Sequence, residues 1–168
     1  MAGMGHITTD MIGDHVRDQV VWDLGAGPHL GWCSSLLEWG ASQVVAVEKE
    51  SIRVTPRSGV VVKNIYFSEV VVPAEGIDVA FLSWPSNRRL QGLIHILVKC
   101  RKIIYQGCNY NGCACGEPYL YTYLKGRKVE ALVTTSSNTF TVYGEPCSPR
   151  EPTHEEWCGI TGIDKPPP

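Results

Sequence analysis

A surplus of positive charge is missing from this chain: Lys and Arg total 15 against 17 Asp and Glu. Strong sequence-independent nucleic-acid binding draws on such a surplus, so nucleic acid is possible as a partner but not favoured. No apolar run is long enough to cross a bilayer, and no membrane partner is expected. The N-terminal stretch lacks the basic-then-apolar pattern of a secretory leader. A cytoplasmic protein is expected, with its seven cysteines as reduced thiols. Internal repeats are absent. Cys108, Cys113 and Cys115 have neither the paired C-x-x-C spacing of zinc knuckles nor the plant-type iron–sulfur spacing. Cys147, His154 and Cys158 complete a metal site only if the tail folds back, so free thiols and no metal are expected. What remains is 168 residues of ordinary globular composition, enough for one domain with a good core.

The most informative stretch runs from Val20 to Glu50. Val20, Val21 and Trp22 make a short apolar run that enters Asp23-Leu24-Gly25-Ala26-Gly27. From Gly31 to Trp39, apolar Trp32, Leu36, Leu37 and Trp39 recur at helical spacing, and Gly40 stops the helix. A second apolar run, Val44 to Val47, ends in Glu48. Two buried parallel strands joined by a helix make a right-handed βαβ unit.

The glycine loop selects the ligand. A dinucleotide needs G-x-G-x-x-G, with backbone N–H groups aimed at a pyrophosphate. Gly25 and Gly27 fit that pattern, but Leu30 stands at the third glycine position and Pro28 deletes a donor. Asp23 adds a negative charge that repels phosphate. A cationic nucleoside reverses the argument: an aspartate at one strand tip suits an ammonium group, and Glu48 at the next is placed to accept from ribose hydroxyls.

On these residues the chain resembles the class I S-adenosylmethionine-dependent methyltransferases. Their first motif is an acidic residue followed by G-x-G-x-G. Asp23-Leu24-Gly25-Ala26-Gly27-Pro28-His29 matches it up to the last glycine, where His29 departs. Val44-Val45-Ala46-Val47-Glu48 follows at the expected distance. A β-hairpin is expected near the C-terminus, over Lys128–Thr135 and Thr139–Tyr143 around a small polar turn. Such a final hairpin on a parallel sheet is also characteristic of the family.

The intervening chain supplies the other elements. Thr9 or Asp10 caps a helix over Met11 to Gln19. Glu50 to Val54 makes one helical turn, and Val60 to Asn64 a third strand. A fourth strand, Gly76 to Leu82, runs into Ser83-Trp84-Pro85-Ser86. An amphipathic helix covers Asn87 to Cys100, burying Leu90, Leu93, Ile94, Leu97 and Val98, with His95 read as a polar-face or hydrogen-bond-satisfied histidine in preference to a catalytic base. Arg101 to Gln106 is a fifth strand, a glycine- and asparagine-rich loop follows, and Glu117 to Lys125 is a short helix. Residues 144–168 read as an extended proline-rich tail on a single methyltransferase-like domain with its core over about 9–143.

The resemblance implies an α/β Rossmann-like three-layer sandwich. Its mostly parallel seven-stranded sheet has the order 3-2-1-4-5-7-6 and ends in an antiparallel hairpin. S-adenosyl-L-methionine is the implied cofactor, held by Asp23, Gly25, Ala26, Gly27, Glu48 and Ser83. Asn64, with Glu69 as a rival, is the candidate for the adenine amino group. Ser83, Trp84 and Pro85 are implied to border the methyl-transfer site, because ligands sit at the carboxyl ends of strands near the reversal of strand order. The family's amine methylators carry D/N/S-P-P and an aromatic there; Ser83 and Pro85 keep two letters, while Trp84 and Ser86 replace the others. Trp84 either packs at the strand end or offers a π face to the sulfonium or a flat substrate. The expected activity is methyl transfer to a small molecule or an exposed group on a macromolecule. The alternatives are a non-catalytic methyltransferase-like subunit and an NAD-dependent oxidoreductase.

Overall fold

The computed structural model describes residues 9–85, 92–107, 120–135 and 138–147. In chain order the elements are α1 (Thr9–Val16), β1 (Val20–Leu24), α2 (Gly31–Glu38), β2 (Gln43–Val47), β3 (Val60–Lys63), a 3-10 turn (Phe67–Glu69), β4 (Ile77–Ser83), α3 (Leu93–Leu97), β5 (Cys100–Gln106), α4 (Leu120–Leu124), β6 (Arg127–Thr134) and β7 (Thr139–Pro146).

All seven strands join one sheet in the order β3-β2-β1-β4-β5-β7-β6, the order expected. The first five pair in parallel, and β7 pairs antiparallel to both β5 and β6. The strand period of two divides the side chains into two buried layers. Val21, Val44, Ala46, Val79, Phe81 and Ile104 face α1 and α2, where Ile12, Val16, Cys33 and Leu36 close the layer. Trp22, Leu24, Val45, Val47, Ala80, Leu82 and Ile103 face the side of Leu93, Ile96 and Leu97 of α3 and Leu120 and Leu124 of α4. Helices on both faces are what lets the central strands be largely apolar.

Several boundaries differ from expectation. No helical turn forms over Glu50–Val54; the segment is irregular, and the Arg53 N–H donates to the Pro28 carbonyl at 2.8 Å. In α2 the fully buried residues are Cys33 and Leu36; Trp32 is half-buried, with Phe81 and Phe140 at ring-centroid distances of 5.5 and 5.4 Å. Helix α3 is shorter than expected: it starts after Gly92, whose φ is +94°, and residues 86–91, with Leu90, lie outside the described residues. Ile96 joins the core, and Val98 is exposed. Strand β7 runs on to Pro146, opposite Arg127, so the start assigned to the tail belongs to the sheet. Cys147 follows, with its N–H donating to the Gly126 carbonyl at 2.8 Å, while residues 148–168, the Cys108–Cys115 loop and residues 117–119 lie outside the described residues.

The hairpin is tied to the body by a buried guanidinium. Arg127, 3% exposed, donates to the carbonyls of Leu97 at 2.8 Å and Gly144 at 2.9 Å, and to the Tyr123 hydroxyl at 3.1 Å.

Candidate functional site

Parallel strands end together, so the register of β1 on β2, with Leu24 opposite Val47, brings the glycine loop beside Glu48. A crevice of about 240 Å³ opens there. The loop at Gly25, Gly27 and Pro28 forms one wall, and Glu48 to Glu50 at the tip of β2 another. Ile65, Tyr66 and Phe67 after β3 and Trp84 and Pro85 after β4 complete it.

The loop is shaped by its glycines. Gly25 and Gly27 have φ of +78° and +81°, a conformation that costs a side-chain-bearing residue about 1–2 kcal/mol. Leu30, at the missing third glycine, takes the left-handed conformation itself at φ +54° and precedes α2. The N–H groups of four loop residues are engaged inside the protein. The N–H groups of Gly25 and Ala26 donate to the Val47 carbonyl at 2.9 and 3.1 Å, and that of Leu30 to the Gly27 carbonyl at 3.2 Å. The Gly27 N–H donates to Glu48 Oε1 at 2.9 Å. Pro28 has no N–H to give.

Glu48 is 7% exposed. Its Oε2 accepts from the Glu50 N–H at 2.8 Å. A carboxylate has about four lone-pair sites, so two contacts leave acceptor capacity toward the crevice it lines.

Asp23 departs from expectation. It does not line the crevice. It is 2% exposed on the α2 side of β1, because Trp22 and Leu24 take the other face, and its Oδ2 accepts from the Cys33 thiol at 3.3 Å. Burial pushes its carboxyl up to about 7; the Cys33 hydrogen bond opposes the shift and the charge of Glu48 adds to it. Burial also pushes the Cys33 thiol up, which disfavours the thiolate. Only Glu48 of the two acidic residues faces the crevice. Of the two carboxylates expected to attract a cationic ligand, that of Asp23 is buried away from the crevice.

Three more expected site residues are turned to other partners. Ala26 is buried and does not line the crevice. Asn64 Nδ2 donates to the carbonyls of Glu48 and Glu50, both at 2.6 Å, so it braces the β2 tip and leaves the wall after β3 to Ile65, Tyr66 and Phe67. Its rival Glu69 accepts from the Tyr66 N–H at 2.9 Å. Ser83 Oγ donates to Gln106 Oε1 at 2.9 Å, and Gln106 Nε2 donates to Asn138 Oδ1 at 2.7 Å. This chain of side chains links the ends of β4 and β5 to the β6–β7 turn. Nothing in the sequence flagged Gln106 or Asn138; for Ile65-Tyr66-Phe67, the signal was an apolar and aromatic triplet just past a strand tip.

Neither a family model nor a curated protein matches the sequence. Solved structures do. A Pyrococcus horikoshii protein provisionally described as an RNA methyltransferase superposes with a TM-score of 0.54 at 15% identity, over 84% of this chain and 80% of that one. A SAM-dependent methyltransferase from Aquifex aeolicus gives 0.51 at 14% identity, with 79% and 85% covered. Phosphoethanolamine N-methyltransferase 1 of Haemonchus contortus, solved with phosphoethanolamine and S-adenosylhomocysteine, gives 0.52 at 12% identity. That match spans 88% of this chain but 44% of the nematode protein. At such identities the likeness is one of fold. With its strand order and terminal antiparallel hairpin, this chain has the fold of the class I S-adenosylmethionine-dependent methyltransferases.

Proposed function

We propose that this chain is an S-adenosylmethionine-dependent methyltransferase. The observation that carries the reading is that the first loop N–H groups are already engaged while the neighbouring Glu48 carboxylate keeps acceptor capacity. The N–H groups of Gly25, Ala26 and Gly27 all serve acceptors within the protein, and Pro28 has none, which leaves these four residues with nothing to offer a pyrophosphate. Glu48, by contrast, keeps acceptor sites for hydroxyl donors. A phosphate-free nucleoside fits these residues better than a dinucleotide does.

In this reading Glu48 would hold the ribose hydroxyls. Gly25 and Gly27 would let the backbone approach the ligand closely, and the Ile65–Phe67 wall would cover the base. Asp23 and Ala26 shape the loop from behind, and Asn64 holds the β2 tip in place. The cofactor supplies a methyl group on a sulfonium, already activated for displacement. The protein's part is to orient the acceptor and exclude water at the β4 end, where Trp84 and Pro85 stand. Ser83 contributes by fixing the strand end through Gln106.

Calorimetry with S-adenosylhomocysteine and with NAD tests the reading. Saturable heat with the first and none with the second is expected; the reverse pattern overturns it in favour of an oxidoreductase. A second reading, a non-catalytic methyltransferase-like subunit, is favoured by one observation: the Ser83 hydroxyl donates to Gln106 and does not line the crevice. Absence of heat with S-adenosylhomocysteine at millimolar concentration would favour it.

A further inference from the structure

We infer that Trp84 is a stacking platform for a planar aromatic methyl acceptor of small-molecule size, an inference that rests on the methyl-transfer reading above. Trp84 lines the crevice at the end of β4 and is 58% exposed, the most exposed aromatic ring among the described residues. Its φ is +46°, a left-handed conformation that bulky L-residues avoid. An indole held this way gains little from burial, so packing does not account for it. Outliers of this kind cluster at ligand sites, where the surroundings over-determine them.

The surroundings do so here. The Trp84 N–H donates to the Gln106 carbonyl at 2.7 Å. The preceding residue, Ser83, is held by the Gln106 side chain, which is itself held by Asn138. The following residue, Pro85, is buried and lines the crevice. Three strand ends thus brace the backbone that carries this exposed ring. A π face selects for flat rings and is tolerant of their substituents. The formal net charge of −2 offers no surplus for a phosphate backbone, which leaves a small aromatic molecule in preference to a nucleic acid.

The test begins with the protein saturated with S-adenosylhomocysteine. β-Naphthol and its fully saturated analogue β-decalol are then titrated while the tryptophan indole N–H resonances are followed. The Trp84 signal is identified by its absence in Trp84→Phe. β-Naphthol is expected to shift that signal and to bind about tenfold more tightly than β-decalol. Trp84→Gly is expected to lose about tenfold in β-naphthol affinity, and Trp84→Phe to lose far less. Glycine accepts a positive φ, so Trp84→Gly should melt no lower than the parent; a ring placed there for packing would give a clear drop. Equal binding of the two probes, or unaltered β-naphthol binding by Trp84→Gly, overturns the inference. So does a Trp84→Gly protein that loses affinity for S-adenosylmethionine but not for S-adenosylhomocysteine, because the ring would then read the sulfonium. If S-adenosylhomocysteine does not bind at all, the methyltransferase reading falls. The same titration without it still decides whether Trp84 holds a planar ring.

Discussion

The backbone N–H of Gly27 donates to Glu48 Oε1 over 2.9 Å, so the loop after β1 closes onto the carboxylate at the tip of β2. One side chain thereby shapes the loop and faces the crevice. Glu48→Ala removes the acceptor for two N–H groups and should lower stability by about 1–3 kcal/mol. It should also weaken S-adenosylhomocysteine binding by about tenfold or more, since hydrogen bonds to a charged group are worth about 1.5–3 kcal/mol. Glu48→Gln keeps one oxygen and should fall between. Urea denaturation and calorimetry separate the two effects; lowered stability with unchanged affinity would leave Glu48 a loop brace only.

The buried carboxyl of Asp23 predicts an inverted pH dependence. In the unfolded chain it ionises near 3.8, and in the folded chain near 7, chiefly because burial disfavours its charge. Between those values the folded state keeps a proton that the unfolded state has lost. This group's contribution is therefore most favourable at and below about pH 4, declines as pH rises to about 7, and is flat above. Asp23→Asn keeps an oxygen for the Cys33 thiol and abolishes that decline. It should melt above the parent at about pH 8, by up to a few kcal/mol in stability, and converge with it near pH 4. A constant difference across this range in paired melts would refute the assignment.

The two loop glycines should separate backbone strain from crowding. Alanine at either position must adopt a positive φ, at a cost of about 1–2 kcal/mol. A Cβ on Gly25 would stand 3.7 Å from Cζ of Phe67, across the crevice, whereas one on Gly27 meets nothing within 4 Å. Similar losses in melting temperature are expected, with a larger loss of S-adenosylhomocysteine affinity for Gly25→Ala than for Gly27→Ala.

Arg127 predicts the opposite split. Its hydrogen-bond partners include the ends of α3 and β7 and the Tyr123 hydroxyl, none of which lines the crevice. Arg127→Met leaves buried carbonyls without a donor and should cost about 2–4 kcal/mol of stability. Affinity for S-adenosylhomocysteine should hold at temperatures where the variant is folded.

Much of the fold was legible because its signals are local. The apolar runs of β1, β2, β4 and β5 and the alternating hairpin each lie within a few consecutive residues, and Gly40 ends its helix with φ +111°. Segments lacking such a signal were misread. The Glu50–Val54 stretch has the composition of a helical turn, but a single turn nucleates poorly without packing, and its backbone bonds to Pro28 instead. The end of β7 was placed too early because proline and glycine there resemble a tail; at Gly144 and Pro146 the strand is held opposite β6 and Arg127.

The sequence alone determined that a glycine loop and Glu48 stand at neighbouring strand tips, because a βαβ unit with a short helix admits little else. Which face each side chain takes was decided only by tertiary structure. The period of two sends Asp23 toward Cys33 and away from the crevice, and the pairing of β4 with β5 turns Ser83 to Gln106 while leaving the ring of Trp84 exposed. Asn64 shows the same rule: its position at a strand tip was readable, but its amide bonds the carbonyls of Glu48 and Glu50, which lie just beyond the end of β2. Position along the chain is a local property; the direction of a hydrogen bond depends on whatever else the fold brings within 3 Å.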